Sequence, residues 1–360
     1  MQSRTQTAVT EIPDRNNFDC IRLLLAFSVC FAHLGEVSGV SAFYPLANYF
    51  YSGIAVDCFF VLSGFLIFRS FQRSSSIRSY LNKRIRRIYP AYLTVILAGA
   101  FLLPLLFSGD AGTILLSNEW WRYLFSNLAF LNFLQPELTG VFSNNPLQVI
   151  NAPLWTIKVE VMFYLSVPLI FLLLKNRKRW LVLACLYIAS ISYSFYFLTM
   201  YQSTHLHIYL KLEKQLPGQL SFFLSGGALY FYYTFFKKHW KVTVGCAVLL
   251  LIISSQYSSA AQLFYPISLA VIVIFAALLF PYLGNWGRFG DMSYGVYIYH
   301  FPMIQIFTAF SLFTIHPWLG FIVLIAAILF TAFLSYRYIE RPFLKRSSHY
   351  RQAAETVDPP

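Results

Sequence analysis

Long apolar runs separated by short polar or basic segments are the dominant pattern of this chain. An α-helix needs about 20 mostly apolar residues to cross the roughly 30 Å hydrocarbon core of a bilayer. Ten runs approach this length, and each is therefore predicted to be a transmembrane helix. The predicted spans are residues 20–40, 50–70, 89–107, 153–174, 180–200, 218–236, 241–255, 262–283, 293–312 and 318–339.

One further apolar stretch, residues 121–134, is too short to be an eleventh span. As a helix it would rise only about 21 Å. It is therefore predicted to be a re-entrant or interfacial helix. Counting it as a full span would also place the basic segment 175–179 on the outer side.

The basic residues agree with ten spans and a cytoplasmic N-terminus. In that layout the cytoplasmic side holds all of the 27 Lys and Arg residues except Arg122, Lys158, Lys211 and Lys214. The positive-inside rule therefore predicts that both termini are cytoplasmic. The expected organisation is an N-terminal segment 1–19, a membrane domain 20–342 and a short tail 343–360 with no room for a fused soluble domain.

Composition supports an all-α polytopic membrane protein and weakens other classes. Hydrophobic residues make up 58% of the chain, charged residues 11%, and the mean hydropathy is +0.59. The net charge of +13 could suggest nucleic-acid binding, but the basic residues cluster between apolar runs, as membrane topology requires. The five cysteines lack the spacing of a zinc or disulfide framework and are interpreted as small core residues.

Three titratable residues are predicted to lie at one depth in the membrane. His33, Asp57 and Glu160 each fall seven residues from the outer end of a predicted span, about 10 Å below the outer surface. We expect them to converge on one cavity, where a carboxylate would orient His33 as a base. The alternatives are structural: a hydrogen-bonded histidine, and carboxylates paired with cations such as Lys158.

The cytoplasmic side offers phosphate-binding chemistry. Arg84 and Arg87 share one helical face, and Arg22 lies at the same side of the membrane. Guanidinium groups bind phosphate oxygens well, although topogenic charge and lipid contact explain many such residues. His300 either lines a cofactor path or forms a hydrogen bond within the bundle, and the Ser63-Gly64 pair is predicted to serve close helix packing.

Two functional classes fit these residues. The first is an enzyme in which His33 acts on a hydroxyl. The second is a proton-coupled transporter or glycan flippase that uses His33, Glu160 and Asp57 as a relay. Transporters often carry repeated halves, and no counterpart of His33 is found in the second half of the chain. An inactive scaffold is a third possibility, which the full set of polar residues weakens.

Several ordered segments resemble the acyltransferase-3 family of bacterial integral-membrane O-acyltransferases. The resemblance spans nearly the whole chain, residues 17 to 342. The matching segments are Asp19-x-x-Arg22, Arg22-x10-His33, Asp57-Cys-Phe-Phe-Val-Leu-Ser-Gly-Phe-Leu66, Arg84-x-x-Arg87-Ile-Tyr-Pro90, Leu154-Trp-Thr-Ile-Lys-Val-Glu160-Val-Met-Phe-Tyr164, Ser293-Tyr-x4-Tyr-His300-x-Pro302 and Tyr338-Ile-Glu340-Arg-Pro342.

The resemblance implies ten core helices in the bacterial inner membrane and transfer of an acyl group, usually acetyl, from cytoplasmic acyl-CoA. Acceptors in the family are typically hydroxyls of surface or lipid-linked glycans, so envelope polysaccharide assembly proteins are expected partners besides membrane lipids. It implies that Arg22 and His33 are important. We expect the CoA phosphates at Arg22, Arg84 and Arg87 and the thioester at His33.

In this scheme His33 is a general base or a transient acyl carrier, and Glu160 or Asp57 orients it or binds the acceptor. No metal or nucleic acid is expected. Many family members carry an outer hydrolase-like domain. This sequence has none, so the membrane part or a separate partner is expected to complete the transfer. Lys158-Val159 departs from the family pattern just before Glu160.

Overall fold

The structure is a computed structural model that describes residue 13 and residues 15–107, 111–175, 178–256 and 258–344. In the first part of the chain the helices are α1 (Phe18–Val37), α2 (Tyr44–Tyr49), α3 (Ser52–Gln72), α4 (Ile77–Leu97), α5 (Leu103–Phe107), α6 (Ala111–Leu115), α7 (Asn118–Leu128) and α8 (Leu154–Leu174). They are followed by α9 (Arg179–Thr204), α10 (His207–Glu213), α11 (Leu216–Phe231), α12 (Tyr233–Gln256), α13 (Ser258–Leu278), α14 (Ser293–Ala309) and α15 (Pro317–Leu334).

The chain is a helical polytopic membrane protein. Among the described residues, six helical segments are long and apolar enough to cross a bilayer: Phe18–Val37, Ser52–Gln72, Ile77–Phe107, Leu154–Leu174, Arg179–Thr204 and Pro317–Phe343. The apolar helix Leu263–Leu278 is shorter. The count of ten spans and the sidedness of the termini remain predictions. The predicted cytoplasmic residues Arg4, Arg177, Lys345, Arg346 and Arg351 lie outside the described residues, as do most of segments 1–19 and 343–360.

One difference from the predicted boundaries lies at residues 232–241. The basic segment was expected to form a loop between two spans, but α11 ends at Phe231 and α12 already begins at Tyr233. Lysine is a good helix former, and the segment contains no Gly or Pro to end a helix. The helix therefore continues through the lysines, with a local kink at His239.

Two predicted spans contain a π-helical turn. Between α4 and α5 it covers Ala98–Leu102, and after α15 it covers Ser335–Glu340. The short segment predicted to be re-entrant or interfacial forms the 11-residue helix α7, followed by a 3-10 turn at Asn132–Leu134. Its position in a membrane is still a prediction. π-Turns of this kind are frequent at functional sites, and the second one carries Glu340.

By its internal contacts the chain divides into two units. Unit one contains Met1–Ile21, Asp57–Leu81 and Val159–Gly284, and unit two contains Arg22–Val56, Asn82–Lys158 and Asn285–Pro360. In unit one, α3 packs closely against α11. A Cβ at Gly64 would lie 1.9 Å from the carbonyl oxygen of Phe223, and one at Gly226 would lie 2.0 Å from that of Val61. The prediction of close helix packing at Ser63-Gly64 is thus confirmed.

The prediction that all five cysteines are core residues is wrong for two of them. Cys20, Cys30 and Cys58 are buried, whereas Cys185 on α9 and Cys246 on α12 are exposed. The reason is physical. In a membrane protein the outward face of a helix meets lipid, so an apolar residue need not be in the core.

Candidate active site

The two carboxylates predicted at the site, Glu160 and Asp57, belong to unit one and have different hydrogen-bond partners. Glu160 Oε1 accepts hydrogen bonds from the Tyr164 hydroxyl at 2.5 Å and from Ser63 Oγ at 3.2 Å. Asp57 Oδ2 accepts one from the Tyr265 hydroxyl at 3.4 Å. Each carboxylate therefore has local support from phenol or hydroxyl donors.

Arg22 and His33 lie on one face of α1 in unit two. Eleven residues separate them, close to three turns of an α-helix, which is a rise of about 16 Å. Both side chains contact the segment that leads into and forms α14: Arg22 at Asp291 and His33 at His300. The two helices thus run in the same direction and are joined at two levels.

The first level is an arginine–carboxylate cluster, made of Arg22, Arg87, Asp291 and Glu340. Arg22 Nη1 lies 2.8 Å from Asp291 Oδ2, and Arg87 Nη2 donates to the same oxygen. Arg87 Nη1 donates to Glu340 Oε2 at 3.0 Å. Two guanidinium groups thus meet two carboxylates whose side chains are each only 1% exposed. Such balance is what allows charges to be buried.

Asp291 is the centre of this cluster and also accepts hydrogen bonds from Ser293, the first residue of α14. Burial alone would raise the pKa of Asp291, but Arg22, Arg87 and hydrogen bonds from Ser293 hold that pKa below its usual value. Asp291 Oδ1 accepts from both the Ser293 backbone N–H, at 3.1 Å, and the Ser293 hydroxyl. The preceding Gly290 has φ +94°, and a Cβ there would lie 2.0 Å from the Tyr336 ring. Only glycine fits this approach to Asp291.

Glu340 reaches the cluster because the chain forms a π-turn after α15. Its Oε1 accepts a hydrogen bond from Ser335 Oγ at 3.2 Å, and the Ser335 and Tyr299 hydroxyls lie 3.1 Å apart. Tyr299 is the residue before His300. The cluster is therefore connected through hydroxyl groups to the part of α14 that carries the histidine.

The second level is an imidazole pair, His33 and His300. His33 Nδ1 lies 2.9 Å from His300 Nε2, and the two ring planes are inclined by 4° with centroids 5.2 Å apart. Parallel rings whose nitrogens are this close meet edge to edge rather than face to face. This is the geometry of an N–H···N hydrogen bond.

The partners of the imidazole pair determine which nitrogens carry protons. His300 Nδ1 lies 3.2 Å from the Val296 carbonyl oxygen, which only accepts, so this nitrogen carries a hydrogen. In the neutral ring His300 Nε2 then has the lone pair, and His33 Nδ1 must donate to it. It follows that the lone pair of neutral His33 is on Nε2. That nitrogen lies 4.0 Å from Glu36 Oε2.

A proline and an asparagine define the course of α14 around His300. Pro302 has no N–H, so the Ile298 carbonyl loses its usual helical donor. Asn151 Nδ2 replaces that donor at 2.9 Å. One turn beyond Pro302, the buried Gln305 donates to the Leu147 and Val149 carbonyls at 2.6 and 2.7 Å. The 136–153 loop is thus fastened to α14 on either side of the proline.

Arg84 and Lys158 are the remaining residues that the sequence analysis named, and the structure places both in unit two. Arg84 is half-buried on α4, one turn before Arg87. Lys158 lies with its Nζ 4.5 Å from the centre of the Phe133 ring, a cation–π contact in unit two. His205 and His207 are exposed.

The structure thus joins four of the predicted residues in two sets. Arg22 and Arg87 meet at Asp291, and His33 meets His300. Sequence reasoning did not identify Asp291, although an aspartate just before a predicted span and a surplus of arginines were visible. It also gave no weight to Asn151, although a proline two residues after His300 requires an alternative donor for a helical carbonyl.

The comparisons with known proteins show the family to which the chain belongs. The acyltransferase-3 family model, described as an acyltransferase domain, matches residues 15–337. Because this match covers most of the chain, the protein belongs to the acyltransferase-3 family. It is therefore an acyltransferase built on a multi-pass helical membrane domain, and the transporter alternative is set aside.

Similar proteins carry related descriptions. The chain is 30% identical to an O-acetyl transferase of Shigella phage Sf6, over 92% of this chain and 97% of that protein. It is 28% identical to nodulation protein 10 of Rhizobium leguminosarum bv. viciae, over 92% and 94%. It is 25% identical to the O-acetyltransferase OatA of Staphylococcus aureus, over 86% of this chain and 56% of that protein. No solved structure matches the chain.

Proposed function

We propose that this membrane acyltransferase moves an acetyl group from cytoplasmic acetyl-CoA to a hydroxyl of a surface or lipid-linked glycan in the bacterial inner membrane. The family and the O-acetyl transferase relatives support the reaction class. The observation that carries the proposal is the imidazole pair. It holds His33 with its lone pair on Nε2, the nitrogen that acts as a base or nucleophile.

In direct transfer, His33 Nε2 accepts the proton of the acceptor hydroxyl while the hydroxyl oxygen attacks the thioester carbonyl carbon. The carbon–sulfur bond breaks, and the CoA sulfur leaves with the proton that His33 had accepted. The products are the acetyl ester and CoA thiol. Imidazole is the side chain whose unperturbed pKa, near 6.5, suits both proton transfers near neutral pH.

In the covalent variant, His33 Nε2 itself attacks the thioester carbonyl carbon, the carbon–sulfur bond breaks, and the CoA sulfur leaves as the thiol with the proton that the ring gives up. The acceptor hydroxyl then attacks the acetyl-imidazole, gives up its proton and regenerates the free ring. Both routes use the same nitrogen. They differ in whether an acetylated protein forms when the acceptor is absent.

The donor phosphates are proposed to bind at the end of unit two that carries Arg22, Arg84 and Arg87. The chemistry of these residues fits, since a guanidinium has five N–H donors and an ion pair does not use all of them. The contacts divide the roles, however. Arg22 and Arg87 already neutralise buried carboxylates. Arg84, one turn before Arg87 on α4, is proposed as a further phosphate ligand.

Glu160 and Asp57 are proposed to bind hydroxyl groups of the acceptor. A carboxylate that retains acceptor capacity suits a sugar hydroxyl, and the contacts of Glu160 with Tyr164 and Ser63 keep its side chain oriented. Envelope polysaccharide assembly proteins are proposed partners, because they would deliver the glycan.

The test is acetyl transfer by the protein in nanodiscs. Acetyl-CoA labelled in the acetyl group is supplied with envelope glycans, and the wild type is compared with His33→Ala. We expect labelled glycan from the wild type and a rate at least about 100-fold lower from the variant, since general-base catalysis contributes about 10²–10⁴. Full transfer by a folded His33→Ala protein would refute the proposed chemistry.

His207→Gln is the matched control, because His207 is exposed at the start of α10. It should transfer acetyl groups at the wild-type rate. Omitting the acceptor separates the two routes: stoichiometric label on the wild-type protein, absent from His33→Ala, would establish the covalent route.

A further inference from the structure

We infer that His300 is a positioning residue for His33 and does not serve as a contact for the acyl donor. This inference rests on the proposed function, in which His33 is the base or nucleophile. It replaces the expectation that His300 lines the cofactor path. It also assigns to a histidine the orienting role that the sequence suggested for Asp57 or Glu160.

The first argument is the hydrogen-bond chain itself. Starting from the Val296 carbonyl, each acceptor dictates the proton on its neighbour, so that His33 keeps its hydrogen on Nδ1. Without His300, neutral His33 would be divided between its two tautomers. One of them would place the lone pair on the wrong nitrogen for the reaction.

The second argument is immobility. The His300 side chain is fully buried, with an exposed fraction of 0%, and contacts the Tyr297 and Phe301 rings. Pro302 and Asn151 define the backbone of α14 at this point. A base must be held in place to act efficiently. A buried ring on a fastened helix provides such a support for His33.

The third argument is electrostatic. When His33 takes a proton on Nε2, its Nδ1–H bond to His300 becomes a charge-assisted hydrogen bond, which is stronger than the neutral one. No atom has to move for this change. His300 therefore favours the protonated intermediate over the resting state, as an orienting carboxylate would, but without adding a negative charge to a buried site.

The experiment compares His300→Ala and His300→Gln with the wild type in the acetyl-transfer assay. The glutamine carbonyl can accept the His33 Nδ1–H bond, whereas alanine cannot. We expect His300→Ala to lower kcat by about 10- to 100-fold, less than the about 10⁴-fold that loss of a charged orienting partner costs a serine protease. KM for acetyl-CoA should change less than about 2-fold, and His300→Gln should recover a large part of kcat.

A second readout does not depend on activity. In protein labelled with ¹⁵N-histidine, with the His33 signals assigned by comparison with His33→Ala, the wild-type ring should be protonated on Nδ1. His300→Ala should show a mixture of both tautomers, and His300→Gln should restore the Nδ1–H form. A wild-type His33 protonated on Nε2 would overturn the inference.

The outcomes also separate this inference from the proposed function. If His300→Ala keeps its kcat and raises KM for acetyl-CoA, His300 is a donor contact and the positioning role is wrong. If both His300 variants lose kcat equally while the tautomer stays unchanged, the positioning role is also wrong. If instead folded His33→Ala is fully active, the proposed base is wrong, whatever His300 does.

Discussion

The two places where α1 meets α14 in unit two use opposite kinds of polar contact. At Arg22, buried guanidinium and carboxylate groups meet in a charge-balanced cluster around Asp291. About three turns further along α1, His33 and His300 meet as two imidazole rings. The first contact exists only while its members are charged. The second can gain or lose a proton without changing its geometry.

The two contacts are therefore suited to different roles. The arginine–carboxylate cluster is suited to attach α1 to α14, and the imidazole pair is suited to proton transfer. The pKa of Asp291 is held below its usual value, so this carboxylate is ionised near neutral pH and does not exchange protons there. An imidazole is the side chain best suited to exchange protons at that pH. The Arg22-x10-His33 spacing therefore places an ionic attachment and a ring that can exchange protons on the same helical face.

The largest expected effect on stability comes from a substitution in the arginine–carboxylate cluster. Asp291→Ala would leave two guanidinium groups beside a single remaining carboxylate, and such a loss costs about 3–5 kcal/mol for a buried pair. We expect an apparent melting temperature lowered by roughly 5 °C or more in detergent. Glu137→Ala, which removes an exposed carboxylate, should melt like the wild type.

The pH dependence provides an internal control for Asp291. Because its folded pKa is depressed, its stabilisation is fully present above the unfolded pKa of about 3.9 and is lost as the pH falls through the folded value. The difference in melting temperature between wild type and Asp291→Ala should therefore be present above about pH 5 and shrink below about pH 4. A difference that grows on acidification would contradict the assignment of the cluster.

Variants of Arg22 and Arg84 test whether these two arginines have different roles. We expect Arg22→Ala to lower the melting temperature, since it removes a partner of Asp291. Arg84→Ala should raise KM for acetyl-CoA about 10-fold, the effect of losing one charge-assisted contact. Acetyl-dephospho-CoA, which lacks the 3′-phosphate, shows whether that phosphate is the group bound.

The double variant Arg22→Ala/Asp291→Ala is the control for Arg22. If Arg22 acts through Asp291, the two effects on melting will be non-additive by about 1–3 kcal/mol. Additive effects, together with a raised KM in Arg22→Ala alone, would show that Arg22 acts mainly on the donor phosphates.

The smallest expected effect concerns the support of α14. Asn151→Ala leaves the Ile298 carbonyl without its donor and should destabilise the protein by about 1–3 kcal/mol. In a Pro302→Ala background residue 302 regains its N–H, so the same Asn151 substitution should cost less. An equal cost in both backgrounds, measured by melting, would show that Asn151 does not serve the carbonyl freed by the proline.

Helix positions could be predicted where a hydrophobic run has clear ends. The run 153–174 forms α8 (Leu154–Leu174), and the run 50–70 forms α3 (Ser52–Gln72). The bounds agree because the thickness of the hydrocarbon core sets the length of both the apolar run and the helix. The start of α12 could not be found in this way. Its lysines have the charge of a loop but the propensity of a helix.

The site residues could be selected from the sequence, but their partners could not. His33 and Arg22 stand out because titratable groups are costly in an apolar span. The residues they contact, His300 and Asp291, are more than 250 positions away, and the chain contains 14 acidic residues among which nothing local identifies Asp291. Depth along a span indicates a level in the membrane, whereas pairing depends on how helices are rotated.

The most direct test of this division of roles measures two properties of two variants side by side. His33→Ala and Asp291→Ala are compared with the wild type for apparent melting temperature and for the single-turnover rate of acetyl transfer per folded molecule. We expect opposite orders: Asp291→Ala melts lowest, whereas His33→Ala melts normally but transfers slowest. Two results would contradict this account: a His33 variant that keeps its transfer rate, or one variant that is worse in both properties. Either result would show that the structural role does not belong to Asp291 and the chemical role to His33.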